Sequence, residues 1–269
     1  MAKSTSPANS ASQPEASRQS QGQYQNHRPI QHLSVGKTLR ILWNAMFHKP
    51  RDTRPTAPVP VQPLTQAALM AAPNHSVYRL GHSTLLLKLR DRFWITDPVF
   101  AERASPVQWA GPKRHTPPGL SLAQLPRIDV VLLSHNHYDH LDEGSMLALK
   151  QQAGGAPLVI CPLGHKHWFA RRGMHRVVEL DWWDTHVLPA TERSARIPVT
   201  LVPAQHWSAR TATDALRSLW GGFAGMLFFY LGFVGGCSGS TAGGLKIFRF
   251  QVAYVLLKAN LQQLIHPRA

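Results

Sequence analysis

Asp129-Val130-Val131-Leu132-Leu133-Ser134-His135-Asn136-His137-Tyr138-Asp139-His140-Leu141-Asp142 is the stretch on which the fold and the chemistry both turn. Val130–Leu133 is an unbroken apolar run of the kind that forms a strand buried on both faces. The polar residues behind it therefore occupy the loop at the carboxyl end of that strand, where α/β sheets present their ligands. His135 and His137, two residues apart, can reach one metal ion from an extended segment. Asp139 and His140 can serve a second ion beside it. Imidazole and carboxylate donors suit zinc, and two such ions can hold a hydroxide between them. Cys161 and Cys237 are the only cysteines. A Cys-rich zinc module is thus excluded, and so is a disulfide framework.

Outward from this loop, an α/β pattern runs from about Ser76 to Trp220. Val77–Leu80, Thr84–Leu89 and Phe93–Thr96 read as short strands, punctuated by Gly81 and by Arg90-Asp91-Arg92. Glu143–Gln152 reads as a helix and Pro157–Ile160 as a strand. Pro162 stands where a second helix would open, at the first-turn position that proline favours. Val177–Leu180 and Val199–Val202 complete the strands. Strands alternating with helices predict an α/β layered fold.

The flanks have other compositions. Residues 1–30 are rich in Ser, Gln, Ala and Asn and poor in large apolar residues, which predicts disorder. No apolar segment follows the basic start, so no secretory signal is read and a cytoplasmic location is expected. Ser34 to Lys49 reads as a helix capped by Ser34, with Val35, Leu39, Leu42, Trp43 and Met46 on one side and Lys37, Arg40 and Lys49 making it basic. Such a helix lies on a membrane surface or packs against the domain behind it. Pro55, Pro58, Pro60 and Pro63 then mark a linker or wrapping arm. The 269-residue chain has a formal net charge of +15. No Lys/Arg block or interleaved aromatic stripe accompanies that charge, so no nucleic-acid partner is expected, and attraction to anionic lipid fits the charge at least as well.

Several motifs occur in one order: Gly81-His82-Ser83-Thr84, Thr96-Asp97-Pro98-Val99, Ala110-Gly111-Pro112-Lys113-Arg114, Ser134 to Asp142, Leu180-Asp181-Trp182-Trp183 and Pro203-Ala204-Gln205-His206-Trp207. Together they resemble the metallo-β-lactamase superfamily, in its N-acyl-phosphatidylethanolamine-hydrolysing phospholipase D branch, over roughly residues 28–223. The resemblance implies an αββα sandwich that cleaves a phosphodiester with metal-bound hydroxide. It implies His135, His137 and His206 at one zinc, and Asp139, as a catalytic carboxylate, with His140 at the other. Asp97 would orient a ligand histidine. Read without the family, Asp97 before Pro98 is as plausibly a turn residue, and His206 beside Trp207 an ordinary buried histidine. His165, His167, His175 and His186 are assigned structural places.

The resemblance also implies a later aspartate bridging both zincs and a last histidine, but Gly221 to the end holds no acidic residue and only His266. The domain, over 76–223, is accordingly expected to be truncated, with an incomplete sandwich, partial zinc occupancy and impaired hydrolysis of its phospholipid or other phosphodiester substrate. Ser218 to Leu245 carries no charge. From Phe228 onward, and above all at Gly235-Gly236-Cys237-Ser238-Gly239-Ser240-Thr241-Ala242-Gly243-Gly244-Leu245-Lys246, the tail resembles a pore-loop region of the Trk-type potassium transporter membrane subunit. The expectation is a chimera joined near 220–225, with a hydrophobic helical tail over 224–269 and membrane contact through 219–236. The alternative function is that of a non-catalytic membrane-associated remnant.

Overall fold

Val130, Val131, Leu132 and Leu133 are all withdrawn from solvent because their strand lies inside a sheet covered on both faces. The computed structural model describes residues 15–29, 34–48, 57, 59–192, 195–211 and 213–224. Six strands form the main sheet: β3 (Ser76–Arg79), β4 (Leu85–Leu89), β5 (Arg92–Thr96), β6 (Val130–Leu132), β7 (Leu158–Pro162) and β8 (Val177–Leu180), side by side in chain order. β3, β4 and β5 are antiparallel, whereas β5 through β8 run parallel. Within the parallel half, β6 connects to β7 through α3 (Glu143–Lys150) and β7 to β8 through α4 (Lys166–Ala170).

Side chains alternate across this sheet with period two. Leu86, Phe93, Ile95, Val131, Val159 and Cys161 face a helical layer that includes Met146 and Leu149 of α3 and Phe169 of α4. Leu87, Trp94, Val130, Leu132 and Ile160 face a second core with Trp182, Leu188, Val199, Leu201 and Trp220. That second core is closed by a three-stranded antiparallel sheet of β9 (Thr185–Leu188), β10 (Ile197–Val202) and β11 (Gly222–Ala224), with β10 in the middle. The described residues thus form helices on sheet on sheet, a mixed α/β sandwich.

Four expectations change. Residues 15–29, placed in a disordered segment, are ordered: β1 (Arg18–Ser20) and β2 (Gln23–Gln25) pair as a hairpin. One aromatic suffices to dock it, since Tyr24 is buried in the second core and its N–H donates to Leu216 O at 2.8 Å. Pro162 does not open a helix; it ends β7, paired with Leu180. α4 begins four residues later, where the Glu179 carboxylate of β8 accepts from the N–H groups of His165 and Lys166 at 2.6 and 2.7 Å. That carboxylate fixes the start by satisfying two otherwise orphaned donors. Behind the prolines, in a stretch where no element is expected from the sequence, lies a short helix, α2 (Gln66–Ala71), after α1 (Val35–Phe47). Thr65 caps α2 through Ala68 N–H, and Leu69 is fully buried in the helical-side core.

The fourth change concerns the junction. Leu219 and Trp220 are core residues, and β11 pairs with β10, so 219–224 belongs to the second sheet rather than to a membrane segment. Among the described residues no helix is long and apolar enough to cross a membrane. The helical tail expected beyond 224 lies outside the described residues. Gly221 is required at this turn: a Cβ there would stand 2.8 Å from Val202 O, and its N–H donates to Ser134 O at 3.1 Å.

Trp220 therefore anchors the end of the sandwich. Its indole N–H lies 2.9 Å from Ala204 O, and its carbonyl accepts from the Trp182 indole at 2.6 Å. Trp220→Ala is expected to cost about 3–5 kcal/mol of unfolding free energy. Denaturant titration checks it, and a loss below about 1 kcal/mol, the range of a surface site, would contradict this packing.

Candidate metal centre

The loop after β6 is held by one carboxylate. Asp97 follows β5 with a left-handed φ of 38°, an uncommon backbone for a residue with a Cβ, and its N–H donates to Leu132 O at 2.9 Å. Its buried Oδ1 accepts from Ser134 N–H at 2.7 Å, and Oδ2 accepts from Ser134 Oγ–H at 2.7 Å. His140 Nδ1 stands 2.7 Å from the same Oδ2, and His135 Nδ1 stands 2.8 Å from Ser134 Oγ. Because the Ser134 proton goes to Asp97, Ser134 Oγ must accept from His135, and Asp97 must accept from His140. Both rings are thereby set as Nδ1–H tautomers, which leaves each Nε2 with a lone pair.

The His135 lone pair points into a cluster of nitrogens. His135 Nε2 lies 2.9 Å from His137 Nδ1 and 2.9 Å from His206 Nε2, and the latter two are 3.3 Å apart. Bonds of 2.0–2.1 Å to one tetrahedral ion would set nitrogen separations near ~3.3 Å. The three rings consequently fit a single divalent metal with almost no movement. Burial, then mutual repulsion among the imidazoles, pushes His135 well below its ordinary range and His206 down to about 4. Burial also lowers His137. Each of these shifts favours the neutral imidazole, the form that binds metal.

His206 comes from the segment after β10, and the residue that pins it lies near the other end of the chain. Asn26, just after β2, donates from Nδ2 to His206 O at 2.7 Å and accepts His206 N–H on Oδ1 at 3.1 Å. Gln205 Nε2 donates to Arg28 O at 2.9 Å. Arg210 braces the metal loop itself: its Nη1 donates to Asn136 O at 3.1 Å and Leu141 O at 2.7 Å, while its guanidinium stacks 4.1 Å from the Tyr138 ring.

Beside this trio, Asp139, His140 and His82 offer ligand atoms that all lie within 4.8 Å of one another. Burial opposes ionisation of Asp139, but the hydrogen bond from His82 and the nearby His140 outweigh it and hold the carboxyl well below its usual range. Burial likewise opposes the charge on His140, yet Asp97 prevails and raises it. The two groups adjoin, with the His135 and His140 ring centroids 4.0 Å apart. Donors of this kind serve zinc and iron alike, so the geometry supports metal binding without selecting zinc. A cavity of about 1020 Å³ opens on the Tyr138 side of the loop, lined also by Phe100, Glu143, Trp168, Arg172 and Arg210.

Every residue expected at a metal is thus drawn into one of two adjoining groups, and Asp97 sits behind them. His165, His167, His175 and His186 join neither. Sequence reasoning missed three contributors. His82 was visible within Gly81-His82-Ser83-Thr84 but carried no role there. Arg210 and Asn26 sent no signal, because each acts through backbone groups far away in the chain.

Removing the Asn26 clamp should loosen His206 selectively. Asn26→Ala is expected to weaken metal affinity about 10- to 100-fold with little change in melting temperature, read by competition against a chromophoric chelator. In the metal-free protein His206 should titrate near pH 4 by NMR, because burial depresses it. Its neutral-state contribution to stability is therefore complete above the unfolded value of 6.5 and lost as the pH falls toward 4. Titration of His206 at 6.5 would contradict the packed trio.

Comparison with known proteins agrees with this geometry. The chain is 36% identical over 169 residues to N-acyl-phosphatidylethanolamine-hydrolyzing phospholipase D 1 of Caenorhabditis elegans, covering 59% of this chain and 46% of that one. It is 34% identical over 224 residues to an uncharacterised protein of Mycobacterium tuberculosis, covering 78% of this chain and 54% of that one. The chain spans about half the length of these relatives. A short stretch of 49 residues, 18% of the chain, is 67% identical to a tenth of the Trk system potassium uptake protein TrkI of Halomonas elongata. A family model described as a beta-lactamase superfamily domain matches residues 92–250. With that match across more than half of its length, the chain belongs to the beta-lactamase superfamily.

Proposed function

We propose that this chain is a metal-dependent hydrolase of the phosphodiester bond of a phospholipid, related in chemistry to N-acyl-phosphatidylethanolamine hydrolysis. The observation that carries this reading is the convergence of His135, His137 and His206 nitrogens, within 2.9–3.3 Å, on one point at the mouth of a parallel sheet. A divalent metal held by these three imidazoles would supply a water of lowered pKa and offset charge on phosphate oxygens. The protein's own part is orientation. Asp97 and Ser134 fix the His135 and His140 tautomers, Asn26 fixes His206, and Arg210 holds the loop against Tyr138. Asp139, ionised and facing solvent beside His140, is the carboxylate placed to handle the proton of the attacking water.

A lipid substrate is supported by α1. Leu39, Trp43 and Phe47 recur every four residues in one stripe and are 57–61% exposed, with Lys37 and Arg40 on the same helix. Such a surface suits the interface of an anionic bilayer. The same stripe and the short TrkI likeness favour a second reading, a membrane-associated chain without catalysis.

Hydrolysis of a phosphodiester in mixed micelles tests the first reading. The expected outcome is release of the alcohol that stops with a chelator, resumes with zinc, and falls about 100-fold or more in His135→Ala. Hydrolysis indifferent to chelator and to that substitution would overturn it. Binding to anionic vesicles that weakens in Trp43→Ala/Phe47→Ala, without any hydrolysis, would instead support the second reading.

A further inference from the structure

We infer that His82 is a third protein ligand to a second metal ion, joining Asp139 and His140, so that the second site is completed from the turn between β3 and β4. The inference rests on reading the His135 trio as a metal site and deepens that reading. His82 Nε2 lies 3.3 Å from Asp139 Oδ2, and His140 Nε2 lies 3.7 Å from the same oxygen. Ligand bonds of 2.0–2.2 Å to one ion would set such separations near ~3.3–3.6 Å. His140 is already the Nδ1–H tautomer through Asp97, so its Nε2 presents a lone pair on this side.

A surface histidine near an aspartate is commonplace, and the turn that carries His82 is what separates this one from that case. Ser83 Oγ donates to the Asp139 carbonyl at 3.0 Å, tying the turn directly to the metal loop. Thr96 Oγ1 donates to Ser83 O at 2.9 Å, and Thr84 Oγ1 donates to Asp97 O at 2.8 Å. Three side-chain hydrogen bonds thus tie Ser83 and Thr84, the two residues after His82, to Asp139, Thr96 and Asp97. His82 is held over the loop by its neighbours, independently of its own contact with Asp139.

The donor set that results is two imidazoles and one carboxylate. This set leaves positions open to water and substrate, and it serves zinc in hydrolases and iron(II) elsewhere. Side chains of His82 and Asp139 are 43% and 42% exposed, so the open positions face solvent.

Metal binding by the full chain tests this without recourse to activity. Metal-free protein is titrated with zinc, bound metal is counted by elemental analysis, and cobalt(II) absorption reports coordination at each site. Two ions per chain are expected for the native sequence. In His82→Ala and His82→Asn the second dissociation constant should rise about 100-fold or more, with a changed cobalt spectrum and an unchanged circular dichroism spectrum. His135→Ala should lose the first site instead. Two ions bound with unaltered affinity in both His82 variants would overturn the inference. So would a single ion in native protein and variants alike, which would leave the trio standing. No metal bound at all would overturn the metallohydrolase reading together with it.

Discussion

The Asp97 carboxylate is the point through which the centre is organised. It takes three donors, Ser134 N–H, Ser134 Oγ–H and His140 Nδ1, each at 2.7 Å, inside a site from which water is largely excluded. A buried carboxylate is stable only when its lone pairs are so engaged. Its three partners therefore have little freedom to be elsewhere. Through Ser134 it also sets the tautomer of His135, so one charge decides where two imidazoles present their lone pairs. The left-handed backbone at Asp97 is the conformational cost of aiming that carboxylate across to the neighbouring strand's loop.

Around this hub the protein gathers parts from its whole described length. β5 and β6 are parallel neighbours, which sets Asp97 and Ser134 side by side at the same edge of the sheet. The turn before β4 reaches Asp139 through Ser83, and the segment after β10 delivers His206 from the second sheet. The N-terminal hairpin closes the set by grasping His206 on both sides of its peptide. Packing of Trp182 against Trp220 joins the two sheets where these segments meet. The centre is consequently a property of the sandwich as a whole, and loosening either sheet moves one of the three imidazoles.

Legibility in the sequence followed the range of the interaction. The apolar run Val130–Leu133, the His/Asp loop behind it and the helix capped by Ser34 are local patterns, and each occurs where expected. Val177–Leu180 coincides with β8 residue for residue. Pro162 misled because proline is equally at home at a helix start and at a strand end, and only Glu179, from the next strand, decided where α4 begins. The hairpin at 18–25 escaped because composition measures how much apolar surface a segment owns. A single Tyr24 and a few hydrogen bonds to the domain were enough.

By itself the sequence determined the class of fold, the carboxyl end of one strand as the place of the chemistry, and the residue types that carry it. Period-two burial and the spacing of His135, His137, Asp139 and His140 are written in neighbouring residues, so they need no partner to be read. The tertiary structure decided which groups share a point in space. His206 stands 71 residues from His135, and Asn26 stands 180 residues from His206. His82 meets Asp139 across 57 positions of chain. Contacts of that kind depend on register and on how two sheets are stacked, which no local pattern encodes. The same residues would read identically in a chain that never brought them together.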